Sequence, residues 1–119
     1  MIDVDIKSRK TKLQTKIYNL EIIDGNISAW FENHSNKKAR LKSQLVIRDE
    51  NQRLVDRQLL MTQSAIERQN DHSIIHPNSV VKILGSSDKL TSGIYNVLIQ
   101  SNFDEKSLPV LRSKIDYIH

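Results

Sequence analysis

The chain has 119 residues, 38% hydrophobic and 27% charged, with no cysteine, a net charge of +4 and a pI near 9.4. That length suits one domain with a core of its own. The lack of any long apolar tract excludes a helical membrane span, and the lack of cysteine excludes disulfides, thiolate metal sites and a cysteine nucleophile.

Residues 1–12 are polar and basic, with KSRKTK at 7–12, and read as an N-terminal arm; residues 13–119 read as a single β-sandwich domain. No charged and then apolar leader pattern precedes the first periodic segment, so no secretion signal is expected in these residues. Tyr18, Leu20 and Ile22 alternate with Asn19 and Glu21, the period of a half-buried strand. Asp24-Gly25-Asn26 turns the chain, and Ile27, Ala29 and Phe31 share a face of the returning strand, completing a hairpin. Asn33 to Asn36 supply the next turn.

The clearest alternation follows. Ala39, Leu41, Leu45 and Ile47 point one way while Arg40, Lys42, Gln44 and Arg48 point the other. After a charged turn at 49–52, a strand is predicted to about Leu60, then a loop or short helix across 62–69. HSIIHPNSVVKILGSS reads as a strand interrupted at Pro77, whose missing amide donor implies an edge or a bulge. Residues 93–103 and 108–118 give the last two strands, separated by Asp104-Glu105-Lys106. About seven short strands with turn chemistry between them predict an all-β, antiparallel immunoglobulin-like or fibronectin-like sandwich.

LTSGIYNVLI, from Leu90 to Ile99, fits the tyrosine corner of such sandwiches: Leu90 as anchor, Gly93 permitting a tight approach, and the Tyr95 hydroxyl returning to a backbone group just upstream. Tyr95 is therefore read as structural. His72 and His76 would share one face of a helix, but on a strand they lie ~13 Å apart, too far to chelate one ion. Asp71, His72 and Ser73 lack the nucleophile turn of a hydrolase. Asp49 and Glu50 read as a charged turn, since the calcium-loop pattern fails. No catalytic, cofactor-binding or metal-binding residue is assigned, and no cofactor is expected.

Trp30 has opposite parity to Ala29 and Phe31. It faces outward beside basic side chains of the following strand if Phe31 is core; the inverted register, or cover by the arm or another domain, is the alternative. An outward Trp beside Arg makes a binding hot spot, so Trp30, Arg40, Lys42 and Arg48 form the candidate partner-binding set.

Taken in order, ISAWFENHSNKKARLKSQLVI, IIHPNSVVKI and LTSGIYNVLIQS resemble the C-terminal immunoglobulin-like domain of WxL-interacting cell-surface proteins of Gram-positive bacteria, over about residues 17–118. They are similar, more loosely, to the first domain of periplasmic pilus-assembly chaperones. In the first resemblance Pro77, Asn78 and Ser79 match the family's Pro-Asn-Ser, with His76 in place of its alanine, and Gly93 and Tyr95 match its corner. It implies a wall-associated, extracellular module that binds a protein, either an envelope component or a host protein, without catalysis. The chaperone resemblance implies exposed edges that complete another subunit's sheet.

The resulting expectation is a non-enzymatic protein-interaction module of a bacterial surface or envelope protein. The rival is a small cytosolic nucleic-acid-binding domain using the arm with Lys37, Lys38, Arg40 and Lys42. The scarcity of aromatic residues for base stacking counts against that rival.

Overall fold

The computed structural model describes residues 14–70 and 72–119; the basic arm, Leu13 and Asp71 lie outside the described residues. Among the described residues, nine strands and one short helix follow in order: β1 (Thr15–Ile23), β2 (Asn26–Asn33), β3 (Ala39–Arg48), β4 (Leu54–Leu60), α1 (Gln63–Glu67), β5 (Ser73–Ile75), β6 (Ser79–Ser86), β7 (Gly93–Phe103), β8 (Lys106–Ser107) and β9 (Leu111–Tyr117). They form two antiparallel sheets, one of order β1-β2-β6 and one built on β4-β3-β7, with β5 sharing the β3 edge and β8 and β9 sharing the β7 edge. With β1, β2 and β6 as strands A, B and E, and β3, β7 and β9 as C, F and G, this is an immunoglobulin-like sandwich. β4 lies beside C.

The core follows from the alternation. Ile27, Ala29 and Phe31 from β2 meet Leu41, Leu45 and Ile47 from β3, together with Ile83, Val97, Ile99 and Phe103, all at most 2% exposed. The Phe31 and Phe103 rings cross the gap between the sheets at 5.6 Å and tilt by 57°, a favourable aromatic geometry. Asp24 (φ 51°) and Gly25 (φ 80°) close a two-residue hairpin between Ile23 and Asn26, the turn whose twist matches the flanking strands.

Three sequence expectations are corrected. Tyr18 does not share a face with Leu20 and Ile22. The β1 register slips between Tyr18 and Glu21, where Asn19 takes φ 55°, so two residues oppose one and the parity reverses. Ile17 turns inward and Tyr18 outward. Pro77 lies between two edge strands but not within one interrupted strand: it opens a turn with Asn78 (φ 54°) that carries the chain from β5 at the edge of one sheet to β6 at the edge of the other, which adds a strand to the expected count. Gly93 permits no close approach, because a Cβ there would meet open space.

The corner itself forms as expected. The Tyr95 hydroxyl donates to Thr91 O at 2.8 Å and accepts from Thr91 N–H at 3.1 Å, with Leu90 buried beneath. A second polar lock was not foreseen in this role. The fully buried carboxamide of Asn33 accepts from the Ser35 N–H and hydroxyl and donates to Lys37 O and His76 O, each at 3.0 Å, filling all four of its hydrogen-bonding positions.

Tyr95→Phe removes a hydroxyl whose backbone partner is exposed and can turn to water, so it should cost about 1 kcal/mol. Asn33→Ala takes the acceptor from the buried Ser35 N–H and hydroxyl and the donor from Lys37 O and His76 O at once, and should cost about 3 kcal/mol. Urea unfolding would compare them at constant m, and equal costs would refute the assignment of Asn33 as the lock.

Candidate interaction surfaces

Because inward positions are committed to the core, side chains available to a partner stand on the two outer faces. On the three-stranded sheet the cross-strand row Tyr18, Trp30 and Lys82 lies in register over β1, β2 and β6. Trp30 is half-buried and points away from the core, opposite in parity to the buried Ala29 and Phe31. Outward, rather than inverted, is therefore the observed register. The Lys82 ammonium sits 5.4 Å from the Trp30 ring centre and that of Lys16 5.6 Å from the Tyr18 ring, each a cation–π contact. Val80, half exposed, extends the patch along β6.

Glu32 organises the polar rim. Its carboxylate accepts a short hydrogen bond from the Tyr18 hydroxyl, and its other oxygen lies 2.5 Å from His34 Nε2. The Tyr18 bond, then the His34 bond, hold the Glu32 carboxyl below its ordinary value against a smaller opposing effect of burial. The same bond, helped by burial and by the charge of Glu32, pushes the Tyr18 phenol up.

The predicted set does not converge on one face. Arg40, Lys42 and Arg48 are exposed on β3, in the opposite sheet from Trp30. Residues 34–38 between β2 and β3 arch from one sheet to the other rather than turning within a sheet, so strands adjacent in sequence are not neighbours in space. Arg40 and Lys42 border a groove of about 640 Å³ with Lys37, Lys106, His72 and Asp104. There the Asp104 carboxylate accepts from the Arg40 N–H at 2.9 Å and pairs with Lys37 Nζ at 3.4 Å; chiefly through the Arg40 N–H, its pKa is held below the ordinary value. Arg48 stands at the far end of β3 in a second groove of about 430 Å³, with Arg112 and Lys114 of β9.

Tyr18 and Lys16 went unrecognised in the sequence because the bulge hides the parity of β1, and Glu32 and Lys82 because the pairing that brings β2 and β6 beside it is not local in sequence. Arg112 and Lys114 carried a readable signal, the alternation of LRSKIDY. His72 and His76 flank the extended strand β5 rather than sharing a helix face.

No protein-family model and no curated protein matches the chain. Among solved structures it is similar to the ApaA protein from Bordetella pertussis, at 9% identity and a TM-score of 0.53, over 88% of this chain and 93% of that one. It also aligns with β-glucosidase 3B from Thermotoga neapolitana at 15% identity and a TM-score of 0.48, over 90% of this chain but only 16% of that one. The ApaA likeness is one of fold.

Since the Glu32 pKa is depressed on folding, the stability it contributes is present above its ordinary value of 4.5 and is lost as pH falls through the lower folded value. In Tyr18→Phe the Glu32 titration should move up toward 4.5, read by carboxyl-carbon NMR. An unmoved midpoint would show that the Tyr18 hydroxyl does not hold the charge.

Proposed function

We propose that this domain is a non-enzymatic protein-interaction module of a bacterial surface or envelope protein, and that it docks its partner on the outer face of the three-stranded sheet around Trp30. The observation that carries this reading is the Tyr18–Trp30–Lys82 row. Two aromatic side chains stand outward from a rigid sheet, each with a cation over its ring and apolar Val80 alongside. Trp and Tyr offer large contact area at small entropic cost, and they anchor protein interfaces more often than other residues do. The polar groups at the rim suit binding better than chemistry. A raised phenol pKa at Tyr18 and a lowered carboxyl pKa at Glu32 take both groups away from the neutral range where a general acid or base works best. The surface or envelope setting rests on the ordered resemblance of the Asn-ending strand, the Pro77-Asn78-Ser79 turn and the Tyr95 corner to WxL-interacting proteins.

A photo-crosslinking amino acid at position 30 should trap a discrete protein in the envelope fraction of the source cells, and one at Arg57, on the other sheet, should not. With that protein purified, Trp30→Ala and Tyr18→Ala should each weaken binding about tenfold or more while the thermal midpoint moves only slightly. Intact binding in both variants, or a partner recovered only from Arg57, would refute the docking face.

A further inference from the structure

The outer face of the six-stranded sheet is a different surface. Register places Arg40, Lys42 and Arg48 on β3, Arg57 on β4 opposite Val46, and Arg112 and Lys114 on β9 opposite Leu98 and Asn96, all exposed and all outward. Against these cations stand Asp116, beside Ile94 on the same strands, and Asp104 and Glu105 at the rim of the groove beside Arg40, where Asp104 pairs with Lys37. The opposite face is balanced, with Lys16 and Lys82 set against Glu21 and Glu32. Among the described strand residues, the excess of positive charge is thus on the outer face of the six-stranded sheet.

Between the cations, Gln44 and Gln100 with the half-buried Val46, Leu98 and Leu59 occupy the middle of the face, and Asn102 and Asn96 stand beside Lys42 and Arg48. No Phe, Tyr or Trp ring joins them. Phe31, Phe103, Tyr95 and Tyr117 are buried, and Tyr18 and Trp30 belong to the other sheet. The two grooves, of about 640 and 430 Å³, open at the two ends of β3. Arg40 and Arg48, one in each, are separated by about 27 Å of extended strand.

We infer that this face binds a phosphodiester polymer along its length through the charges of its backbone, without reading bases. The spread of guanidinium and ammonium groups over an extended strand fits a linear chain of regularly spaced anions, and the arginine fork suits phosphate oxygens. With no Phe, Tyr or Trp to stack on, and one imidazole, His72, at the rim of one groove, nucleobases gain little here. An acidic protein would look for an apolar or aromatic anchor, and a lipid surface for an inserting side chain; the outward apolar residues at the centre of the face, Val46 and Leu98, are half-buried between their neighbours, and the exposed Leu54 stands singly beside Arg48 at the start of β4.

The test uses the full chain with an abasic deoxyribose-phosphate oligomer, the base-bearing single strand of equal length, poly-glutamate, and vesicles containing phosphatidylserine, followed by fluorescence anisotropy or sedimentation. The abasic and base-bearing strands should bind equally, and log K should fall with log salt. Arg112→Ala/Lys114→Ala should reduce that slope by about 1.4, at about 0.7 for each phosphate no longer neutralised. Arg48→Glu/Lys114→Glu should weaken binding at least about tenfold with unchanged circular dichroism, and Trp30→Ala should leave it intact. The inference is overturned if both double variants bind as the parent does, which would move the contact to the basic arm. Binding of the base-bearing strand alone, or poly-glutamate or vesicles binding as tightly as the abasic strand, would overturn it as well. None of these outcomes bears on the Trp30 face, whose test has its own partner and variants.

Discussion

Two of the chain's crossings between the sheets converge on the carboxamide of Asn33, and the alignment of the sandwich depends on it. Asn33 ends β2. Its amide group donates to Lys37 O, on the way into β3, and to His76 O, on the way from β5 to β6, a residue 43 positions away. Apolar packing between the sheets is non-directional and would tolerate some sliding. A buried carboxamide with two donors and two acceptors engaged does not, because any displacement leaves desolvated polar groups unpaired.

The same device recurs where β4 passes close to β6 at the other end. The Gln58 side-chain amide donates to Ser86 O and accepts from Ser86 N–H at 2.7 Å, taking the place of a strand partner. Gly85 leaves the room for it: a Cβ there would lie 2.6 Å from both Gln58 Oε1 and Leu60 Cδ2. Met61 then completes the handover by pairing with Leu84 on β6. Side-chain amides therefore tie the two sheets together at both ends of the sandwich, and they leave the outer faces free to diverge in chemistry.

What could be read in the sequence follows from how local each feature is. The inward face of β3 and the Asp24-Gly25 hairpin are matters of period and turn chemistry within a few residues. The Tyr95 corner is equally local, spanning Leu90 to Tyr95, and it formed as expected apart from the role given to Gly93. The short helix after Leu60 is announced by Thr62, whose hydroxyl accepts the Ala65 N–H at 3.2 Å. Pairing is not local. Nothing in the alternation of β2 and β3 says that residues 34–38 form an arch rather than a hairpin, and this is what divided the candidate set of Trp30, Arg40, Lys42 and Arg48 between two sheets. The bulge at Asn19 was hidden for a related reason: a one-residue slip leaves composition untouched while reversing every later side chain, and so Tyr18 was assigned to the core face.

The separation of aromatic and cationic chemistry onto opposite faces has a physical consequence. Packed sheets stand about 10 Å apart, and outward side chains add to that distance on both sides, so charges on the β3 face lie beyond the screening length of about 8 Å at physiological ionic strength. The field of Arg40, Arg48 and Lys114 is therefore weak at Trp30, and a ligand on one face neither blocks nor repels a ligand on the other. Coupling between the faces would have to pass through the core, where Phe31, Leu45 and Ile99 are fully buried and closely packed side chains have no second arrangement at hand. Substitutions on the two faces should then act additively, as they do for distant sites without shared partners. The two faces proposed as binding surfaces would then act independently, neither ligand promoting the other.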